Sequence, residues 1–412
     1  MAIAMRNEEI NIVENKFFKN KWLVFLIALI GLGQLASDLY LPSLPVMKNS
    51  LFTTISLLQL TISFYFLGYS ISQLFYGPMS DSLGRVFVLK LGLSIFLIGT
   101  LICLISPNIT LMIVGRVIQG LGIGSVAVST RAIARDIFSG KELVNALSYI
   151  GMATAIIPAI APVLGGFIQV SMGWRANFIL LAILGLILFT IVEFFISETN
   201  RNLSTISIKQ FVRSFLFLLT QKSFLTNLLC IVCSLGGIIA FNTTSPFLLQ
   251  NLLGFSPFQY GTLMILIAGS FFVGNFLNQF LISKLNLETC IMIGVVINLF
   301  AAVLFLVLGL VLPPAVWSIV FPMCLYAIGT GIVLPCASAG AMMPFANMAG
   351  IAGALMGFAI NLSSALVSAV IAKYSVTNQI PVATMITVLS LLMLLIYLFS
   401  IIRRSVKIET IV

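Results

Sequence analysis

The sequence has no histidine, and only 11 of its 412 residues are acidic. Histidine is the commonest proton shuttle and metal ligand, so no metal centre is expected and any proton chemistry falls to carboxylates. Charge of either sign is scarce: charged residues make up 8% of the chain, against roughly 25% in a soluble domain. So little charge cannot cover a water-facing surface, and no long stretch has ordinary soluble composition. A soluble enzyme with one anchor is excluded, as is a large domain on either side of a membrane. The six cysteines (Cys103, Cys230, Cys233, Cys290, Cys324, Cys336) all lie in apolar runs. Cys230 and Cys233 have a CxxC spacing, but no second pair or polar shell accompanies them, and they read as small buried apolar side chains.

Hydrophobic residues make up 60% of the sequence, in continuous runs long enough for helices of about 20 residues to cross a bilayer. The runs do not alternate in segments of about ten, which excludes a transmembrane β-barrel. Breaks at charged, proline and glycine positions give spans near residues 22–45, 55–77, 86–106, 109–134, 144–170 and 174–197, then 223–248, 256–283, 287–311, 314–340, 347–373 and 380–402. The expected organisation is a tail (1–21), a six-helix half (22–197), a charged linker (198–222), a second six-helix half (223–402) and a short tail (403–412). The first 21 residues hold Arg6, Lys16, Lys19, Lys21 and three glutamates before a full-length apolar run, unlike a cleavable signal.

With residue 1 placed inside, 17 of the 21 lysines and arginines fall on inner segments, three (Lys48, Arg175, Lys373) fall outside, and Arg116 lies within a span. The positive-inside rule then puts both termini in the cytoplasm. It also accounts for the net charge of +10 by topology, so no nucleic-acid partner is expected. Shifting the first half by 201 residues lays Gly68 over Gly269 in the second and eighth spans, with few identities. Two related halves with a site between them at mid-membrane are the usual build of a secondary transporter.

An intramembrane charge costs about 2.5 to 3.5 kcal/mol on insertion scales, so each needs a reason. Asp38 in span 1 and Arg116 in span 4 each lie seven residues from the outer end of their span, about 10 Å below the boundary at 1.5 Å per residue. Gln34, Ser37 and Asp38 share one helical face, as do Arg116 and Gln119. The functional reading is that Asp38 takes up and releases a proton: a nearby cation favours the carboxylate and desolvation favours the acid. The alternative is a permanent buried ion pair fixing helix packing.

Between spans 2 and 3 lies GPMSDSLGR, residues 77–85. Gly77 and the proline after it are expected to make a tight turn, with Gly84 at its far end. Asp81 and Arg85 are placed to grip a neighbouring helix end, one candidate being the inner end of span 11, because a helix N-terminus attracts an anion. This would be a gate latch; the alternative is a solvated turn. Span 5 reads GMATAIIPAIAPVLGGFI, with Pro158, Pro162, Gly165 and Gly166. Prolines permit a kink and small residues permit close approach, so the span reads either as a hinge and seal or as simple close packing.

At these positions the chain resembles the major facilitator superfamily. GPMSDSLGR resembles its loop 2–3 signature, GRVIQGLGIG its span-4 motif and APVLGG its span-5 antiporter motif. DLYLPSLPVM, RAIARDIFSG, GWRANF, SPFLLQ with GFSPFQYG, and GALMGF are together similar to the bicyclomycin/chloramphenicol-resistance (Bcr/CflA) subfamily of drug:proton antiporters. The resemblance implies an all-α integral membrane protein with the major facilitator fold: twelve helices, two six-helix halves and both termini cytoplasmic. It implies alternating-access export driven by the proton gradient without a cofactor, in a multi-pass cell-membrane monomer. By position, Asp38 would be the protonation site, Arg116 the coupling residue, Asp81 and Arg85 the latch, and Pro162, Gly165 and Gly166 the antiporter element. Ser82 stands where a basic residue is usual, Val86 where a second basic residue is common, and Ala161 where a glycine precedes the motif's proline.

The second half adds no charge to the membrane interior, only asparagines and aromatics. Such a site suits neutral, amphipathic or weakly cationic small molecules. Gln34, Tyr40, Tyr65, Gln119, Met152, Phe241, Asn242, Phe358 and Asn361 are the candidate cavity lining. The span-5 motif favours export by substrate:proton antiport; the alternative on the same fold is a narrow-specificity metabolite or siderophore transporter, by export or proton symport. An integral-membrane enzyme would need a catalytic set that the sequence does not display.

Overall fold

In the computed structural model the described chain is helical throughout. The structure describes residues 2–200, 203 and 208–409, with side chains placed for 19–200, 203, 211–345 and 348–402. The basic residues counted above at Arg6, Lys16, Arg201, Lys209, Arg403, Arg404 and Lys407 have side chains outside the described residues.

Twelve helical stretches are long and apolar enough to cross a bilayer. The first comprises α1 (Ala2–Asp38), a 3-10 turn (Leu41–Ser43) and α2 (Leu44–Ser50). The next five are α3 (Ile55–Leu83), α4 (Arg85–Ile105), α5 (Ile109–Ile137), α6 (Gly140–Met172) and α7 (Trp174–Phe195). A shorter helix, α8 (Ile208–Thr220), precedes the second set. That set is α9 (Lys222–Pro246, continued by a π-helical turn Phe247–Leu252), α10 (Pro257–Ile282), α11 (Leu287–Val311), α12 (Val316–Met342), α13 (Ala349–Ile371) and α14 (Ile380–Glu409).

Helix starts are written locally. Thr54, Asn108 and Asn286 each accept a backbone N–H of the following first turn, and Ser256 and Gln259 form a reciprocal capping box. Within the first half α5 packs on α3 and α4, α4 on α7 and α1 on α6; within the second, α11 packs on α12 and α14, and α9 on α12, α13 and α14. Two long helix pairs join the halves, α6 with α10 and α3 with α13.

Two expectations are corrected and one element is added. The first span is not one helix to residue 45, because α1 ends at Asp38. Pro42 and Pro45 have no amide hydrogen and sit in the first turns of the next two helical pieces, where that loss is harmless. Gly77 and Pro78 do not turn the chain: α3 runs through Pro78 to Leu83, and the reversal falls on Gly84 alone, at φ +102°, a conformation open to glycine. The linker holds a helix, α8, whose apolar positions recur at helical spacing.

Candidate functional site

Arg116 is fully buried at the centre of the first half. Helix α5 reaches it into place because Gly120 lies against the Tyr65 carbonyl and Gly68 against the Val117 carbonyl, where a Cβ would overlap backbone. That close approach sets the Tyr65 ring over the guanidinium, 4.2 Å from its central carbon to the ring centroid. Tyr40, supplied by the break after α1, covers the guanidinium as well, at 4.3 Å. The ring hydroxyls are tied down: Tyr65 donates to the Gly33 carbonyl at 3.0 Å, and Tyr40 pairs with Thr61 at 3.0 Å. Nη1 of Arg116 donates to the Ala36 carbonyl at 2.9 Å and to Gln119, which in turn donates to Thr100 on α4 at 2.9 Å. Nε and Nη2 are buried with no hydrogen-bond partner.

Asp38 is not Arg116's ion-pair partner; the ion pairs among the described residues lie elsewhere. Arg116 reaches the backbone two residues before Asp38 instead, and its charge faces two tyrosine rings. Asp38 is half-buried at the end of α1. Ser37 Oγ lies 3.0 Å from its carboxyl and 2.9 Å from the Gln34 carbonyl. One hydroxyl hydrogen serves one acceptor at a time. If Asp38 carries a proton, it donates to Ser37 while Ser37 donates to Gln34, and every group is satisfied.

The residues of the 77–85 segment meet a second cluster at the end of the bundle where α1 begins and α14 ends. Arg85 pairs with Asp81 and, at 3.3 Å, with Asp136 at the end of α5. Glu198, beyond α7, accepts the backbone N–H groups of Arg85 and Val86 at 2.9 and 3.1 Å, so its carboxylate sits on the N-terminus of α4. Asn200 donates to the Asp81 carbonyl at 3.1 Å and Thr199 to Asp136 at 3.1 Å. The segment's bonding partners thus lie in its own half. Asp136, Glu198, Thr199 and Asn200 were not singled out from sequence. The one available signal was Glu198, an acid in an otherwise basic linker.

The opposite end is closed across the halves. Gly166 lies against the Pro257 carbonyl and Gly261 against the Pro162 carbonyl, while Gly165 lies against the Leu39 carbonyl within the first half. Helix α6 is continuous through Pro158 and Pro162. Gln59 donates to the Thr243 carbonyl at 3.1 Å, and its own carbonyl accepts Ser368 at 3.4 Å. Thr243 donates to Ser368 at 3.2 Å, and Gln250 to the Pro42 carbonyl at 3.0 Å. This seal contains no charge.

Among the candidate lining residues, Tyr40, Tyr65 and Gln119 converge on Arg116. Gln34 is half-buried on α1, Asn242 is half-buried on α9, and Met152 is exposed on α6. Phe241 is fully enclosed. Phe358 packs its ring on Phe215 of α8, and Asn361 donates to the Gly357 carbonyl at 2.9 Å on its own helix.

Twelve spans in two sets, with a buried charge and a seal between the sets, define a membrane transporter. Residues 23–368 match the family model described as Major Facilitator Superfamily, and the chain belongs to that family, as a multi-pass protein of the cell membrane. It is 31% identical over 379 residues to Multidrug resistance protein D of Escherichia coli (strain K12), covering 91% of this chain and 94% of the relative. Multidrug resistance protein MdtL of Shigella dysenteriae serotype 1 is 30% identical over 349 residues, covering 84% and 87%. Among solved structures, the partially occluded inward-open xylose transporter XylE from E. coli superposes with a TM-score of 0.69 at 15% identity, covering 90% and 96%. A bacterial homologue of the lysosomal transporter Spinster, inward-facing and unoccupied, gives 0.68 at 13% identity, covering 92% and 97%.

Proposed function

We propose that the protein exports small, amphipathic molecules from the cytoplasm in exchange for protons, driven by the proton gradient and working as a monomer by alternating access. The observation that carries this reading is the pairing of Arg116 with rings while Asp38 makes no salt bridge to it. Arg116 keeps its contacts with Tyr40, Tyr65 and Gln119 in either state of Asp38, so protonating the carboxyl breaks no salt bridge. The Ser37 hydroxyl, with two acceptors in reach, accommodates both states.

Both termini lie in the cytoplasm in this reading, following the basic inner loops. The far-end seal then closes the path to the outside, and the conformation faces inward. Asp81, Arg85, Asp136 and Glu198 form the inner latch in its released arrangement, while Gly166 and Gly261 let the halves close at the outer end. The similarity to two multidrug resistance proteins and the lack of any second-half intramembrane charge support an amphipathic, neutral or weakly cationic substrate.

The reading is tested in everted membrane vesicles energised to an acidic interior. A cationic amphipathic dye should accumulate in vesicles holding the protein and leave when a protonophore collapses the gradient. Accumulation that is indifferent to the protonophore would refute proton exchange.

A further inference from the structure

Helix α8 has no part in the transport reading. Its 13 residues span about 20 Å at 1.5 Å each, too little to cross a bilayer. Gln221, extended at φ −83° and ψ 110°, separates it from α9, which starts at Lys222. Phe211, Phe215 and Leu218 recur at helical spacing on the side facing the protein: Leu218 is fully buried, and the Phe215 ring centre stands 6.2 Å from that of Phe358 on α13. The remaining side is also apolar. Val212, Leu216, Phe217 and Leu219 are between 37% and 57% exposed, and the exposed Arg213 stands among them.

A helix with two apolar faces needs two apolar partners, and the described residues supply one. Helix α8 packs against α9 and α13, and α9, long and apolar enough to cross a bilayer, turns apolar side chains such as the exposed Leu229 outward. Arg213 lies on this face between Leu216 and Phe217 at helical spacing, and Lys222 follows at the start of α9. A short apolar face that carries an arginine fits the boundary between acyl chains and headgroups, where a long basic side chain reaches outward to the phosphates and anionic lipids concentrate.

We propose that α8 is an interfacial helix whose outer face is embedded in the leaflet at the end where α1 begins and α14 ends, with Arg213 on anionic headgroups. Through Phe215 and Phe358 it fastens α13, half of one of the two helix pairs that join the halves, to that leaflet. The occupant of the face is the bilayer, not a second copy or another segment of this chain. The assignment stands independently of what is transported.

The test places a photoreactive p-benzoylphenylalanine at Leu216, Phe217 or Leu218 in the full-length protein, in vesicles of phosphatidylethanolamine and phosphatidylglycerol. Illumination should give phospholipid adducts at Leu216 and Phe217 and protein adducts at Leu218. Adducts at Leu216 and Phe217 to a second copy or to residues 201–207, or no lipid adduct at either, would overturn the proposal. A second measurement compares melting temperatures in phosphatidylglycerol and in phosphatidylcholine. The wild-type protein should melt higher in the anionic lipid, and Arg213→Glu should lose that increment while keeping its value in phosphatidylcholine. An undiminished increment would remove the headgroup contact.

Discussion

At the scale of residues, Arg116 is held by aromatic faces where a carboxylate was expected. A desolvated cation–π contact contributes about 2 kcal/mol, and two rings flank this guanidinium. Tyr65→Leu should therefore lower the melting temperature and abolish transport. Tyr65→Phe, which keeps the ring and loses only the bond to the Gly33 carbonyl, should retain most of both. Equal losses in the two variants would assign the stabilisation to the hydroxyl. Asp38 and Arg116 were legible in the sequence because a charge inside an apolar run stands out. Their separation was not legible, since it depends on how α1 packs against α5, a tertiary distance that neither helix encodes alone.

At the scale of elements, the sequence displayed the spans but misplaced their interruptions. Pro42 and Pro45 end α1 at Asp38, whereas Pro78, Pro158 and Pro162 leave α3 and α6 continuous. Proline marks a possible break, and packing decides whether the helix uses it. The 77–85 reversal needed only Gly84, and the element that locks it, Glu198, comes from 113 residues away, beyond any local pattern. Glu198→Gln should weaken the cap on α4 by about 0.3–1 kcal/mol, the scale of a charge at a helix terminus, seen as faster amide exchange at Arg85 and Val86. Unchanged exchange would show that the carboxylate charge is idle there. Gly166→Val should be severe, because its side chain would meet the Pro257 backbone; the variant should either fold poorly or open the far-end seal. Helix α8 was hidden for another reason: its apolar positions lie within a stretch whose charge marks it as a linker.

At the scale of the whole molecule, the halves meet at the far end through glycines and uncharged hydrogen bonds, while the charged network at the end where α1 begins and α14 ends stays within the first half. The six-plus-six division was readable from run lengths and the basic linker; which end is closed was not, because one sequence serves both the inward- and the outward-facing state. The orientation is open to a direct check. The native cysteines are buried or half-buried, so a membrane-impermeant maleimide should label Lys373→Cys in intact cells and Lys284→Cys only after permeabilisation. The reverse pattern would invert the topology.

The central claim is that Asp38 carries the coupled proton while Arg116 is held independently of it. The most direct measurement is substrate-evoked proton flux in proteoliposomes, wild type beside Asp38→Asn, with substrate binding measured on the same preparations. The account predicts flux in the wild type, none in Asp38→Asn, and binding in both. Undiminished proton flux in Asp38→Asn would contradict it.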